Sequence, residues 1–385
     1  MTKRALIILF IFTMFIAACE GASVKEVAKD KVEYGEALDT RDDIEKLKAY
    51  RNNVIKQRYK NSKIKLTAVG DIMVGRRVGR ILEDKGMNLA YKNLEDTFER
   101  SDIVFGNLEC PISNKGKKLP GKGICLRAKP EMIDVLKGAD FNIVSLANNH
   151  ILDYDTEALI DTFKILKEND IAYVGAGEDI NEARKPYIMN IKGKSFAFLA
   201  YDEFAYIYYS NSYKRRFVAT EDIPGTAPLK LDMILEDIEK IRDDVDYVVV
   251  SLHWGTEESN NITNKQREFA HELIDGGTDI ILGHHPHVIQ PIEIYKERPI
   301  VYSMGNYIFD QNDENNKQGM VVEISIEYGE IRELSAIPIY ILNKSEPIIA
   351  ADKKGDLIKN KIIRLSQKLD TIGEIKENRV VFNIE

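Results

Sequence analysis

From Ile64 onward the chain is written as short, nearly continuous apolar runs separated by amphipathic stretches, and this alternation restricts its fold more than any other feature. The runs Ile64–Val69, Ile103–Phe105, Phe141–Leu146, Ile171–Val174, Phe196–Tyr201, Tyr247–Leu252, Ile280–Leu282 and Ile300–Ser303 read as strands. A strand that is apolar on both faces must be covered on both, because a solvated face would show alternate polar residues. The segments Asn93–Glu99, Pro130–Lys137, Thr156–Lys167, Leu229–Arg242 and Lys265–Asp275 carry helical spacing and supply that cover. The pattern predicts buried sheets flanked by helices, an α/β or layered α+β domain. Met320–Tyr328 and Ile331–Leu342, joined by Gly329-Glu330, read as a closing β-hairpin. A polar helix over Lys354–Leu369 and a strand near Val380–Ile384 follow. With no internal repeat, we expect one large domain over 63–343 and a C-terminal helix-and-strand extension over 344–385.

The N-terminus predicts location. Met1-Thr2-Lys3-Arg4 precedes an apolar run from Ala5 to Ala18 broken only by Thr13. A basic start and a run of about fourteen residues ending in small side chains describe a secretory signal, too short for the roughly twenty residues of a membrane span. Ile16-Ala17-Ala18-Cys19 resembles a bacterial lipobox, which predicts a signal peptide over 1–18 and lipidation of Cys19 as the mature N-terminus. Acyl chains on Cys19 would hold the chain at the outer face of the membrane. Residues 20–62 are dense in charge and lack proline, so 19–62 reads as a charged tether. Losing Lys3 and Arg4 with the signal takes the formal net charge from −8 to −10, and an acidic chain of this kind is not a nucleic-acid binder.

Polar residues cluster just after the strand-like runs, where sheets of this type assemble their sites. They are Gly70-Asp71, Gly106-Asn107-Leu108-Glu109, Asn148-Asn149-His150 with Asp153, His253-Trp254-Gly255 with Glu257, Gly283-His284-His285-Pro286-His287, and Gly305-Asn306. Five of the chain's six histidines fall in three of these places. Asp71, Glu109, Asn149, His253, His284 and His287 form a nitrogen and oxygen ligand set without sulfur, which suits a divalent Mn, Fe or Zn ion. Ligands spread over several strand ends suit an open catalytic site. His150 is a candidate acid for a leaving group, with Asp153 placed to orient it. His285 is ambiguous, since neighbouring histidines rarely both face one metal, and His271 reads as an ordinary helix residue. Asn107, Glu257 and Asn306 are candidates for holding substrate.

These motifs resemble the bacterial CapA (poly-γ-glutamate synthesis accessory) family, which shares the calcineurin-like metallophosphoesterase fold. The resemblance rests on Val69-Gly-Asp-Ile-Met73, Gly106-Asn-Leu-Glu-Cys-Pro111, Ser145-Leu-Ala-Asn-Asn-His150, Ser251-Leu-His-Trp-Gly255, Gly283-His-His-Pro-His-Val288 and Tyr302-Ser-Met-Gly-Asn306. It implies two facing β-sheets flanked by helices with the site at the strand ends. It also implies that Asp71, Asn149, His150 and His253 match the phosphoesterase set, with His284 and His287 as the terminal pair. Pairing His285 with His287 would restore the usual spacing of that pair, so both pairings stay open. Met73 stands where such phosphoesterases carry a histidine, and Asn107 and Glu109 stand where the second motif supplies a bridging Asp. One or two metal ions are therefore both compatible with the motifs. Two functions follow from the resemblance: an accessory role in capsule or poly-γ-glutamate synthesis alongside membrane capsule-synthesis enzymes, or a metal-dependent phosphoesterase acting on a cell-envelope substrate.

Residues 111–130 hold Lys115, Lys117, Lys118, Lys122, Arg127 and Lys129 with no carboxylate, and Arg76, Arg77 and Arg80 follow the first motif. In an acidic chain this reversal predicts an anion-holding surface for phosphate or an anionic polymer, with Lys122 and Arg127 as its contacts. Tyr201 to Arg216 is tyrosine-rich and reads as a loop that covers the site or projects from it. Outside the cell, Cys110 and Cys125 could bridge, closing a loop worth about 3 kcal/mol by the chain-entropy estimate.

Overall fold

The structure is a computed structural model that describes residues 63–384 except 211 and 212. The signal over 1–18, Cys19 and the tether over 19–62 lie outside the described residues. Chain order begins β1 (Ile64–Ile72), α1 (Arg76–Lys85), α2 (Glu95–Glu99), β2 (Ile103–Leu108), α3 (Ile133–Gly138), β3 (Ile143–Ser145), α4 (Asp155–Glu168) and β4 (Ala172–Val174). It continues with β5 (Ala176–Gly177), α5 (Ile180–Arg184), β6 (Tyr187–Ile191), β7 (Lys194–Asp202), β8 (Gly225–Thr226), α6 (Leu231–Glu239), β9 (Tyr247–His253), α7 (Asn264–Asp275) and β10 (Ile280–His284). The remainder is β11 (Ile292–Tyr295), β12 (Arg298–Val301), β13 (Asn306–Ile308), β14 (Gln318–Glu327), β15 (Glu330–Leu342), β16 (Glu346–Ile349), α8 (Asp352–Gln367), β17 (Glu374–Lys376) and β18 (Arg379–Asn383).

Two sheets face each other. The larger runs β17-β18-β15-β14-β1-β2-β3-β4, with β13 beside β1 and β16 beside β15. The smaller runs β11-β12-β10-β9-β7-β6. Strand alternation explains the layering. Tyr247 and Val249 of β9 turn into the core between the sheets with Leu66, Phe105, Phe198 and Leu282. Val248, Val250 and Leu252 of the same strand turn outward onto Ile234 and Ile238 of α6 and Leu273 of α7. On the far side of the larger sheet, Val69, Val104 and Val144 pack against Val78 and Leu82 of α1, Leu136 of α3 and Leu159 and Leu166 of α4. Phe105 and Phe198 stack across the central layer with ring centroids 5.8 Å apart. The result is two facing β-sheets flanked by helices.

The C-terminal residues set apart in the sequence as an extension belong to the same core. β16 and β18 both pair with β15, while Ile358, Ile362 and Leu365 of α8 and Phe382 of β18 enter the layer between the sheets. Helix α1 lies outside the segments with helical spacing. Its sequence, Arg-Arg-Val-Gly-Arg-Ile-Leu-Glu-Asp-Lys, offers few apolar residues and a central Gly79, so it forms because Val78 and Leu82 find the sheet.

The parallel strands β1, β2 and β3 end at one edge, as do β7, β9 and β10. Register makes the edges specific: Asp71 lies opposite Asn107 and Asn306, and His253 lies opposite His284 and Asp202. Close approach here requires glycine, since a Cβ on Gly283 would sit 1.9 Å from the Tyr302 carbonyl oxygen.

Candidate metal centre

Asp71 is fully buried at the end of β1 and is held from several sides. Asn107 Nδ2 donates to its Oδ1 at 2.9 Å, and the backbone N–H of His285 donates to its Oδ2 at 3.3 Å. His284 Nδ1 lies 3.4 Å from Oδ1 and His287 Nδ1 3.3 Å from Oδ2. Burial alone would raise the Asp71 pKa, but the two imidazoles outweigh it and hold the carboxyl well below the usual carboxylate range.

Glu109 presents the opposite case. It is fully buried, and neither carboxylate oxygen has a hydrogen-bond partner among the described residues. Burial and then the Asp71 charge push its pKa well above the ordinary value. A buried carboxylate without a donor is costly, and such a group calls for a cation. The neighbours are suited to hold one. Ligand atoms of Glu109, His253 and His285 lie within 4.8 Å of one another, as do those of Asp71, Glu109 and His287. The two triplets share Glu109.

The histidines divide by environment. His253 Nε2 lies 3.1 Å from Asn149 Oδ1 and 3.2 Å from His285 Nδ1, while its Nδ1 lies 3.3 Å from Asn107 Nδ2. Burial, reinforced by neighbouring imidazoles, drives the His253 pKa well down and that of His285 to about 3. Burial also works against protonation of His287, but Glu109 and Asp71 overcome it and push that pKa up to about 9. His284 is buried beside Asp71, and neither ring nitrogen forms a hydrogen bond among the described residues. The turn aims these rings: His285 and His287 take positive φ values of 97° and 59°, conformations that an L residue adopts at a cost.

Of the three neighbouring histidines, His285 and His287 belong to the triplets, whereas His284 lies against Asp71 and the Phe105 ring. In sequence His285 is ambiguous, because neighbouring histidines rarely face one metal together; the positive φ at His285 and His287 turns both rings toward Glu109. Met73 is buried and its sulfur accepts the Gly75 N–H at 3.3 Å.

Beside the triplets, His150 Nδ1 lies 2.6 Å from Asp153 Oδ2 and 3.3 Å from Lys122 Nζ, and its Nε2 has no hydrogen-bond partner among the described residues. Burial lowers the His150 pKa, with Asp153 opposing it and Lys122 adding to it. Asp153 also receives the Leu126 N–H at 2.6 Å and an ion pair from Lys122.

Several residues read as substrate contacts serve the interior instead. The Lys122 side chain is only 5% exposed. It bonds Asp153 and the Asn149 carbonyl and lies over the Tyr209 ring at 4.4 Å. It therefore anchors its loop under the site rather than offering charge to solvent. Asn107 and Asn306 are both fully buried. Asn107 orients Asp71 and His253, and its Oδ1 accepts from Asn148 Nδ2 at 3.0 Å. Asn306 Oδ1 lies 3.0 Å from His287 Nδ1, and its amide donates to Gln311 and the Asn316 carbonyl. Glu257 is exposed on the loop after β9, near enough for its charge to raise the Glu109 pKa. Arg127 is half-buried and stacks on Tyr154.

The bridge between Cys110 and Cys125 is not formed, and both thiols are free. Cys110 is buried in the helix-covered core, where burial pushes its pKa up to about 12. The Cys125 thiol instead donates to the Lys122 carbonyl at 3.7 Å. In the tyrosine-rich loop, the Phe204 ring lies 4.1 Å from that of His285, and the Asp202 carboxylate holds Phe204 by its N–H at 2.8 Å. Tyr209 covers Lys122, whereas Tyr206, Tyr208 and Tyr213 are exposed. His271 is not idle: its Nε2 lies 3.0 Å from buried Glu293, which also takes Arg267 and the Tyr302 hydroxyl.

Helix-flanked facing sheets with a carboxylate and imidazole cluster at the strand ends define a protein of the calcineurin-like metallophosphoesterase fold. Residues 65–311 match the family model described as bacterial capsule synthesis protein PGA_cap, and the chain belongs to that family. It is 35% identical over 323 residues to "Capsule biosynthesis protein CapA" of Bacillus anthracis, covering 82% of this chain and 75% of that one. It is 32% identical over 330 residues to "PGA biosynthesis protein CapA" of Bacillus subtilis, covering 85% and 84%. A "Probable polyglutamine synthesis accessory protein" of Mycobacterium tuberculosis is 27% identical over 290 residues, covering 71% and 74%.

Proposed function

We propose that this chain acts in capsule or poly-γ-glutamate synthesis as a CapA-like protein, and that its strand-end cluster holds divalent cations. The observation that carries the second part is Glu109, a buried carboxylate without a hydrogen-bond donor, shared by two triplets of ligand atoms. Glu109, His253 and His285 would hold one ion, and Asp71, Glu109 and His287 a second, with Asn149 beside the first. The nitrogen and oxygen donors suit Mn, Fe or Zn. When bound, such an ion supplies Lewis acidity and lowers the pKa of water.

The rest of the chemistry belongs to the chain. Asn107 and Asn306 fix the orientation of Asp71, His253 and His287 from behind. Phe204 and Phe309 pack on His285 and His287 and exclude water from their rings. The alternative reading, hydrolysis of a phosphoester, is favoured by one observation: Asp153 occupies His150 Nδ1 and leaves Nε2 to exchange a proton with a leaving group. The lipobox at Cys19 supports a lipid anchor at the membrane, and no described helix is long and apolar enough to cross one.

Metal analysis of the purified chain and of Glu109→Gln tests the centre. Bound Mn, Fe or Zn in the wild type, lost in the variant, is the expected result; an equal metal content in both would sink the assignment. Hydrolysis of a generic phosphodiester by the metal-loaded wild type, absent in His150→Ala, would select the enzyme reading, and metal without hydrolysis would reject it.

A further inference from the structure

A second feature lies beside the metal centre. Arg76 and Arg80 of α1, together with Arg127 and Lys129 ahead of α3, line one cleft of ≈ 540 Å³ with Cys125 in its wall. The tertiary fold joins these two segments, since a Cβ on Gly75 would lie 2.2 Å from the Arg127 carbonyl oxygen. Part of the charge is already used: Lys129 pairs with Glu83 at 2.7 Å, another residue of the wall, and Arg76 pairs with Asp310. The rest is open. Arg80 is exposed and has no hydrogen bond or ion pair among the described residues. Arg127 makes one long hydrogen bond, to the Lys115 carbonyl at 3.4 Å, and lies flat on Tyr154 with its guanidinium carbon 3.9 Å from the ring centroid. A guanidinium has five donors, so most of those on Arg127 remain available.

The cleft also abuts the centre. The Arg76 guanidinium lies 5.9 Å over the Phe309 ring, and that ring is 4.9 Å from the His287 ring. We propose that this cleft is a binding site for an oxyanion-bearing chain, whose carboxylates or phosphates pair with Arg80 and Arg127 while the chain runs past Phe309 toward the metal centre. The contact toward that centre rests on the metal reading above; the cleft itself does not. Guanidinium forks match planar and tetrahedral oxyanions in pairs. A protein of net charge −8 repels an anion over most of its surface, so a local positive cleft is where one would settle. A single exposed ion pair is weak in water, which favours a repeating ligand that spans both arginines over a lone anion.

Binding of labelled polyglutamate and of labelled polyphosphate to the full chain, read by fluorescence anisotropy, tests this. Arg80→Glu with Arg127→Glu should weaken binding about tenfold or more, because paired contacts multiply. Lys353→Glu with Lys376→Glu, exposed positions on the C-terminal segment, changes the net charge equally and should have little effect. The milder Arg80→Gln with Arg127→Gln guards against misfolding and should weaken binding in the same direction. Alkylation of Cys125, followed on its own peptide, should slow when polymer is bound. Tighter binding of polyglutamate identifies carboxylate as the ligand group, and tighter binding of polyphosphate identifies phosphate. Equal losses in the cleft and control variants, unprotected Cys125, or no binding of either polymer would overturn the proposal. Metal content measured on the same samples separates the two readings: polymer binding without metal rejects the centre alone, and metal without polymer binding rejects the cleft alone.

Discussion

A cation held by Asp71, Glu109 and His287 must displace a proton, because His287 keeps its proton up to about pH 9. The cause is geometric: burial disfavours the charged ring, but its nitrogens lie 3.3 Å from Asp71 Oδ2 and 3.7 Å from Glu109 Oε1. At pH 7 the ring is some two units below its pKa, so clearing it costs about 3 kcal/mol, roughly a hundredfold in affinity. Metal affinity should therefore climb about tenfold per pH unit from pH 7 and level off above the His287 pKa. Glu109, whose pKa is also raised, adds to proton release in the same direction. Titration calorimetry of Mn²⁺ into metal-free protein, in buffers of different ionisation heat, reads both affinity and protons released. Linkage supplies a check without metal. A folded pKa of about 9 against 6.5 unfolded means that His287 adds stability fully present below pH 6.5 and lost as pH rises through 9. His287→Asn should abolish that dependence. A metal affinity flat from pH 7 to 9, or a stability profile unchanged in the variant, would refute the reasoning.

Other outcomes follow from the same structure. Asp153→Asn strands the Lys122 ammonium, only 5% exposed, and should cost about 3–5 kcal/mol in urea unfolding, whereas adding Lys122→Met should restore part of it. A loss below about 1 kcal/mol would show that water reaches the lysine. Phe105→Ala, which removes a ring stacked 5.8 Å from Phe198 between the sheets, should destabilise by about 3–5 kcal/mol in the same assay. Peptide-level alkylation of the native chain should label Cys125 and spare Cys110 until denaturant is added, and a Cys110–Cys125 linked peptide would contradict the free thiols.

Much of the fold was legible because strands buried on both faces leave near-continuous apolar runs, as in Tyr247–Val250 of β9 and Ile280–Leu282 of β10. Elements that depend on a partner left little trace. The edge strand β6 is half exposed, and α1 carries only a narrow apolar stripe. The site was legible in part for the same reason: strand ends mark where Asp71, Glu109, Asn149 and His253 sit.

What the sequence alone determined was therefore the layering and the inventory of ligands, since apolar periodicity and residue chemistry are local properties of the chain. Which groups face which was decided by the tertiary structure. Adjacent His284 and His285 carry the same chemistry in the sequence, and only the backbone turn at φ 97° separates a ring against Asp71 from one against His253. Lys122 and Arg127 looked alike in one basic loop, yet one is buried against Asp153 and the other faces a cleft. Burial and distance are properties of the folded chain, and they set charge state, which is why His287 holds a proton that His253 and His285 have lost.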